Sequence, residues 1–135
     1  MKLATNSAIN PLTALTRVSN GEIARDPNLA QLAAYLATEA ATVAATLGIQ
    51  IDDPVETALD VARATGENRS SMLRDIEQGR RTETEAITGA IHELGEAHGV
   101  NTPITTMMTI LMYALERGIA ASASEAEPMP APAEE

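Results

Sequence analysis

The sequence contains no cysteine, phenylalanine or tryptophan, and its only aromatic residues are Tyr35 and Tyr113. Without cysteine, disulfide bonds and thiolate metal sites are excluded, and a reducing cytoplasm is the expected compartment. Without aromatic rings to stack on bases, a single-stranded nucleic-acid platform is not expected. No apolar stretch approaches the roughly 20 residues that cross a bilayer, and the N-terminus lacks a signal-peptide pattern. We therefore expect a soluble cytoplasmic protein with no membrane partner.

Positive charge is also scarce, because Lys and Arg total 9 against 19 Asp and Glu, for a formal net charge of −10. This balance argues against a nucleic-acid partner, since neutralising phosphates needs a basic face. An acid surplus with almost no lysine is typical of proteins adapted to high salt, where ions screen self-repulsion. We expect a single domain, and we expect molar salt to stabilise it.

The apolar residues that are present recur at helical spacing, so the predicted fold class is all-α, a helical bundle without strands. Asp26-Pro27 predicts an N-cap and first helical residue, and Asp53-Pro54 predicts another with Glu56 as its capping-box partner. Asn20-Gly21 predicts a turn. Pro11 predicts the end or a kink of the first helix, because its ring clashes with the carbonyl four residues earlier.

The second half of the chain predicts three more helices. A short one runs from near Ser70 to Gly79, one is opened by a Thr82-x-x-Glu85 capping box and stops near Gly99, and the last runs from Thr102-Pro103 to near Gly118. Three methionines of the last helix are expected to fill gaps in the core, namely Met107, Met108 and Met112. Residues 121–135 lack periodicity and predict a disordered acidic tail, which leaves residues 1–120 as the helical domain.

A row of polar side chains opens the chain: the only lysine, Lys2, is followed at four-residue intervals by Asn6 and Asn10. On a helix this spacing places all three on one face, drifting about 40° per step over roughly 12 Å. The plain interpretation is a solvated face. The alternative is a site for a small polar acid, favoured because asparagine is a poor helix former and two at matched spacing need a reason.

Other candidate residues also have two interpretations. The pair Ser70-Ser71 is an ordinary N-cap, although a serine that donates to a bound carboxylate stays open. Glu83 suits the first turn of a helix, where acids face the positive end of the macrodipole. His92 and His98 lie six residues apart on different helix faces, so we expect surface histidines and no metal site.

Five blocks of the sequence together resemble the C-terminal domain of the ketopantoate reductase (2-dehydropantoate 2-reductase) family. They are Lys2-Leu-Ala-Thr-Asn6-Ser-Ala-Ile-Asn10-Pro-Leu-Thr-Ala-Leu15, Asn20-Gly-Glu-Ile23, Thr65-Gly-Glu-Asn-Arg-Ser-Ser71-Met-Leu-Arg-Asp75, Arg81-Thr-Glu83-Thr-Glu-Ala-Ile-Thr-Gly-Ala90 and Ala97-His-Gly-Val-Asn-Thr-Pro103. Their common order makes this match far more specific than any single motif.

The resemblance implies an all-α domain of the 6-phosphogluconate dehydrogenase C-terminal-like type, which follows an N-terminal Rossmann domain and shares an active-site cleft with it. It implies reduction of 2-dehydropantoate to (R)-pantoate with NADPH, a step of pantothenate and coenzyme A biosynthesis. Lys2 matches the family's catalytic, proton-donating lysine, which also binds substrate. The other matching positions are the substrate-binding Asn6, Asn10, Asn20 and Ser71 and the cofactor-associated Glu83.

The chemistry suits these residue types. Hydride that reaches a ketone carbon builds negative charge on the oxygen, which an ammonium can stabilise and protonate. Arginine holds its proton too tightly for that task, which accounts for one retained lysine in a chain that otherwise uses arginine. Carboxamides and a hydroxyl then orient the substrate.

Met1 stands immediately before Lys2, so the resemblance also implies that the cofactor domain is missing from this sequence. We expect the chain alone neither to bind NADPH tightly nor to turn over. A domain fragment, a mis-called gene start and a stand-alone protein all stay open. The alternative function is a non-catalytic helical module that keeps the fold and dimerises or docks to a partner, since an uncovered cleft face favours association. A small helical enzyme of different chemistry is a distant third.

Overall fold

The computed structural model describes the backbone of residues 2–126 and the side chains of residues 2–120. Seven α-helices and one π-helical turn make up this part of the chain, and it contains no strand, so the predicted all-α class is confirmed. The elements are α1 (Lys2–Thr16), α2 (Asn20–Arg25), α3 (Pro27–Thr46), α4 (Pro54–Ala64), α5 (Ser71–Glu77), the π turn (Glu85–Gly89), α6 (Ala90–Ala97) and α7 (Pro103–Ala126).

Helix α1 crosses Pro11 and continues to Thr16, so the expected end of the helix at this proline is wrong. The ring removes one backbone donor, a cost of about 3 kcal/mol in an isolated helix. Every residue from Ser7 to Ala14 is buried, so packing against neighbouring helices keeps α1 helical on both sides of Pro11. The helix stops instead at Arg17, whose φ of 61° places it in the left-handed region.

Both helix starts that the Asp-Pro pairs predict are confirmed, because α3 begins at Pro27 and α4 at Pro54, but their caps differ. The Asp26 side chain accepts hydrogen bonds from the backbone N–H groups of Asn28 and Leu29, so the predicted cap of α3 is confirmed. Asp53 has φ 45° and ψ 56° and its side chain makes no capping bond, so the capping box predicted for α4 is wrong. A capping side chain reaches its donors from extended backbone, which Asp53 does not adopt.

The predicted turn at Asn20-Gly21 is wrong, because these residues open α2. A Cβ atom at Gly21 would lie 3.0 Å from the Cα and the carbonyl oxygen of Gly66. The Gly21 backbone N–H donates to that carbonyl at 3.0 Å. Glycine is therefore needed here for a close approach between α2 and the segment after α4.

The core is built mainly from alanine and leucine on α1 and α3. Its largest cluster joins α1, α2, α3, α4 and α7 and contains Ala8, Ile9, Leu12, Ile23, Leu29, Ala33, Leu36, Ala37, Ala58, Ala62 and Met108. Small alanines let the helices approach closely. Met108 and Met112 are buried as predicted, but Met107 is 53% exposed, so its assignment to the core is wrong.

Helix α7 continues past Gly118 to Ala126, so the predicted end near Gly118 is wrong. Residues 121–126, predicted to begin the disordered tail, are helical in their backbone, and residues 127–135 of that tail lie outside the described residues. None of the helices described here combines the length and the hydropathy needed to cross a bilayer.

Candidate functional site

The start of α1 and one face of α4 form an open cleft of about 480 Å³. Lys2, Thr5 and Asn6 line it from α1, and Thr57 and Val61 line it from α4. Lys2 and Asn6 are both exposed, as the four-residue spacing on one helix face predicts. The cleft therefore presents an ammonium and a carboxamide side by side against a threonine and a valine.

Asn10 continues this row but not this cleft. It is 7% exposed, because the rotation of about 40° per step carries the third residue of the row toward the core. Its backbone carbonyl oxygen accepts a hydrogen bond from the Thr13 hydroxyl at 3.0 Å. The single polar face expected for Lys2, Asn6 and Asn10 is thus divided into two exposed residues and one buried one.

Asn20 lies at the start of α2, 9% exposed, facing the end of α4. The Thr65 hydroxyl donates to the Val61 carbonyl at 2.7 Å and so accepts the Asn20 Nδ2–H bond at 3.0 Å. This network orients the amide, and it leaves Asn20 Oδ1 buried with no hydrogen-bond partner among the described residues. A buried acceptor without a donor costs free energy, so it marks a place where a bound group could donate.

The two serines at the start of α5, Ser70 and Ser71, have different roles. Ser70 is the N-cap, and its hydroxyl oxygen accepts the Leu73 backbone N–H at 3.1 Å, which confirms the capping interpretation. The Ser70 hydroxyl also contacts the Thr13 hydroxyl of α1 at 2.6 Å. Ser71 is the first residue of α5 and is exposed. The structure therefore ties α5, and Ser71 with it, to the part of α1 that carries Asn10.

Glu83 is exposed between two threonines that are anchored to each other and to α7. The Thr82 backbone N–H and hydroxyl both donate to Glu116 Oε1, and the hydroxyls of Thr82 and Thr84 lie 2.6 Å apart. The predicted Thr82-x-x-Glu85 capping box is wrong, because Glu116 of α7 takes the Thr82 hydroxyl and the chain continues as a π turn.

The six predicted site residues are thus brought together in part. Lys2 and Asn6 share a cleft, whereas Asn10 is linked through Thr13 to the neighbour of Ser71. Asn20 and Glu83 lie at other helix ends, outside the lining of that cleft. Sequence reasoning missed Thr13, Thr57 and Thr65, which hold or line these positions. Only Thr13 carried a signal, because it follows Asn10 by three residues, within reach of its carbonyl on a helix.

A second cleft, of about 400 Å³, lies between α6 and the start of α7. His92 Nδ1 contacts the Thr106 hydroxyl at 2.7 Å, and its Nε2 lies 3.5 Å from Glu96. His92 is therefore half-buried and hydrogen-bonded rather than a free surface histidine, while His98 is exposed as predicted. The part of the chain that the structure describes has no group of three or more His, Asp or Glu able to hold a metal ion.

The region around the π turn is acidic. Partial burial raises the pKa of the Tyr113 phenol on α7, and the charges of Glu85, Glu116 and Glu93 raise it further against a smaller opposing effect of Arg81. The hydrogen bond from the Arg69 guanidinium lowers the pKa of Glu77. Three carboxylates therefore act on the Tyr113 phenol beside the π turn, while Glu77 is paired with an arginine.

Residues 1–116 match the family described as "Ketopantoate reductase PanE/ApbA C terminal". The 2-dehydropantoate 2-reductase of Archaeoglobus fulgidus is 43% identical over 118 residues, which are 87% of this chain and 40% of that protein. The 2-dehydropantoate 2-reductase of Pyrobaculum aerophilum is 43% identical over 117 residues, 86% of this chain and 42% of that protein. The chain thus spans about 40% of the length of these relatives.

Solved structures agree with this match. D-mandelate dehydrogenase in a ternary structure with NADH and anilino(oxo)acetate has a TM-score of 0.80 at 28% identity, over 88% of this chain and 40% of that one. A dimeric ketopantoate reductase from Staphylococcus aureus has a TM-score of 0.79 at 27% identity, over 87% of this chain and 42% of that one. Both alignments cover nearly all of the helical part described above.

Proposed function

Since this chain belongs to the family of ketopantoate reductase C-terminal domains, we propose that it is the substrate-binding and catalytic half of an enzyme that reduces 2-dehydropantoate to (R)-pantoate. Lys2 is the catalytic residue in this proposal, and it binds substrate together with Asn6, Asn10, Asn20 and Ser71. The complete reaction belongs to the longer relatives, of which this chain matches about 40%. The activity of this chain itself is tested by its binding of pantoate and ketopantoate and by its oxidation of NADPH.

The observation that carries the proposal is the cleft that Lys2 and Asn6 share. An ammonium in this cleft can hydrogen-bond a carboxylate or a keto oxygen and can give up a proton as charge develops on that oxygen. The adjacent carboxamide can both donate and accept, so it can fix the orientation of a substrate that carries hydroxyl and carboxylate groups. The Val61 side chain supplies an apolar wall that suits a branched carbon skeleton.

Asn20 and Ser71 support the same proposal. The unpaired Asn20 Oδ1 is an acceptor that a substrate hydroxyl could satisfy after a small movement of its surroundings. Ser71 is exposed at the start of α5 and is free to donate to a carboxylate. Pantoate carries both kinds of group, hydroxyl and carboxylate, on a compact skeleton.

NADPH is the cofactor that the family implies, but the residues described here do not form a site that fits it. They include no strand followed by a glycine-rich phosphate loop, and Glu83 is an exposed carboxylate that repels phosphate. We propose that a domain outside this sequence, a Rossmann domain, binds most of NADPH, with Glu83 on the side that meets it. The isolated chain should neither bind NADPH tightly nor oxidise it.

The proposal predicts that the ¹⁵N-labelled chain binds pantoate and ketopantoate with chemical-shift changes centred on Asn6, Asn10, Asn20 and Ser71. Lys2→Gln should weaken pantoate binding by about 10- to 100-fold, because a hydrogen bond to a charged group contributes about 1.5–3 kcal/mol. Titration of each variant by NMR gives both the location of binding and the dissociation constant.

Two surface variants serve as matched controls. Arg25→Gln removes one exposed cation from α2 without touching the cleft. Asn28→Ala removes an exposed helical carboxamide outside the cleft and is the control for Asn6→Ala, which should weaken pantoate binding because it removes the carboxamide inside the cleft. Both controls should bind pantoate as the unchanged chain does. Equal weakening in Lys2→Gln and Arg25→Gln would mean that net charge alone attracts the ligand, and the proposed site would be wrong.

An interaction module is the second candidate, and one surface favours it. Met107, Ile110 and Leu111 form an exposed apolar face on α7, where Ile110 is 63% exposed. The similar Staphylococcus aureus protein is a dimer. If this face self-associates, sedimentation should show a dimer of the unchanged chain that Ile110→Lys dissociates, with no response to pantoate in either.

A further inference from the structure

A buried pair of hydroxyls joins α1 to α5. Thr13 is fully buried and Ser70 nearly so, and their oxygen atoms are 2.6 Å apart although the residues lie 57 positions apart in the chain. Thr13 also donates to the Asn10 carbonyl, and Ser70 accepts the Leu73 backbone N–H. Each hydroxyl therefore makes one further hydrogen bond besides the contact with the other.

Every hydroxyl proton in this set has an acceptor when Thr13 donates to the Asn10 backbone carbonyl and Ser70 donates to Thr13. The Ser70 oxygen then accepts the Leu73 N–H as well. The bonds then run in one direction, from Leu73 through Ser70 and Thr13 to Asn10. Hydrogen bonds linked in this way polarise one another, and a buried chain of them favours one geometry.

This row of hydrogen bonds ends at one position that the proposed function uses and passes beside another. It ends at the backbone carbonyl of Asn10, and Ser71 follows the capping Ser70 directly as the first residue of α5. We propose that Thr13 is a positioning residue, which sets Ser71 relative to Asn10 for substrate binding without touching substrate itself. This inference rests on the proposed function, because it assigns Thr13 a role in that same site.

The simpler role for such a pair is to hold two helices together. That role predicts a loss of stability with no selective effect on ligand binding. A positioning role predicts a loss of affinity in the folded variant, in addition to any loss of stability, and this affinity returns when the hydroxyl is restored. Thr13→Val separates the two, because valine keeps the shape and the methyl group of threonine and loses only the hydroxyl chemistry.

The experiment measures pantoate affinity and melting temperature for the 135-residue chain and its variants. Thr13→Val should weaken pantoate binding about fivefold, the loss of one buried hydrogen bond, while Thr13→Ser recovers most of the affinity. Thr105→Val is the matched control, because Thr105 is equally buried and its hydroxyl has no hydrogen-bond partner among the described residues. It should bind pantoate as the unchanged chain does.

Ser70→Gly tests the same bond from the α5 side. Glycine is tolerated at an N-cap at a cost of a few tenths of a kcal/mol, so this variant keeps α5 and removes the partner of Thr13. It should weaken pantoate binding as Thr13→Val does. If either variant fails to fold, the other still decides the question.

A second readout needs no ligand. In the free chain, Thr13→Val should shift the backbone amide signals of Ser71 and Asn10 and speed hydrogen exchange at Leu73, whereas Thr105→Val should leave these signals in place. If the unchanged chain does not bind pantoate, the proposed function fails, and these amides still show whether Thr13 sets the geometry. Thr13→Val behaving as Thr105→Val in both readouts, or Thr13→Ser failing to recover affinity, would overturn the inference.

Discussion

The first and the last of the described helices, α1 and α7, differ in which side chains they bury and which they expose. α1 buries the hydroxyls of Ser7 and Thr13, and each of them donates to a backbone carbonyl of the same helix. α7 buries Thr105, whose hydroxyl has no hydrogen-bond partner among the described residues, and exposes Met107, Ile110 and Leu111. The buried hydroxyls of α1 are therefore hydrogen-bonded, whereas the outer face of α7 presents exposed apolar side chains.

This difference bears on the two functions proposed for the chain. α1 carries Lys2 and Asn6 at its exposed start and is held firmly behind them, which is the arrangement that a binding site on a helix needs. α7 presents a surface whose apolar side chains gain free energy only when something covers them. The two proposed roles, small-molecule binding and association, therefore fall on different helices.

The largest contrast should come from truncating one leucine on each helix. Leu12 is 2% exposed in the main cluster, so Leu12→Ala should lower the free energy of unfolding by about 2–5 kcal/mol. Leu111 is 41% exposed, so Leu111→Ala should cost less than about 1 kcal/mol in the monomer. Urea unfolding of both variants at low protein concentration makes the measurement. Similar losses would mean that α7 is covered in solution.

A smaller contrast of opposite sign is expected for two glycines. Gly21→Ala should destabilise by about 1–3 kcal/mol, because its Cβ would press on the backbone of Gly66, which cannot rotate away. Gly118→Ala should stabilise α7 by about 0.5–1 kcal/mol, because nothing lies near its Cβ and glycine is costly within a helix. Thermal melting of the two variants gives both signs. A destabilising Gly118→Ala would point to a close neighbour at that position, such as a second copy.

The smallest contrast concerns pH. Because the pKa of Glu77 is lowered by Arg69, its contribution to stability is present above its unfolded pKa of about 4.3 and is lost as the pH falls through the lowered folded value. Because the pKa of Tyr113 is raised, its contribution is present below about pH 10 and is lost as the pH rises through the raised folded value. Melting temperatures should therefore lose part of their acid dependence in Glu77→Gln and part of their alkaline dependence in Tyr113→Phe. An unchanged dependence in both variants would contradict these assignments.

Periodic apolar residues sufficed to predict the helical class, and Asp26-Pro27 sufficed to predict the start of α3. The errors share a cause. Pro11, Asp53 and Thr82 were interpreted by local rules, and in each case a neighbouring segment or the backbone conformation decided otherwise. Pro11 lies in a buried stretch of α1, where packing offsets the lost backbone hydrogen bond. The Thr82 hydroxyl donates to Glu116 on α7 instead of capping the segment that follows it.

The site divides in the same way. The sequence by itself determined which residues are candidates for the chemistry: the only lysine, the two asparagines at four-residue spacing and the serine after a helix cap. Only the tertiary structure decided that Asn10 turns inward while Lys2 and Asn6 face a cleft, and that Thr13 meets Ser70 across 57 residues. Residue type and helical period are local properties of a chain, whereas the partner of a buried hydroxyl depends on which distant helix packs against it.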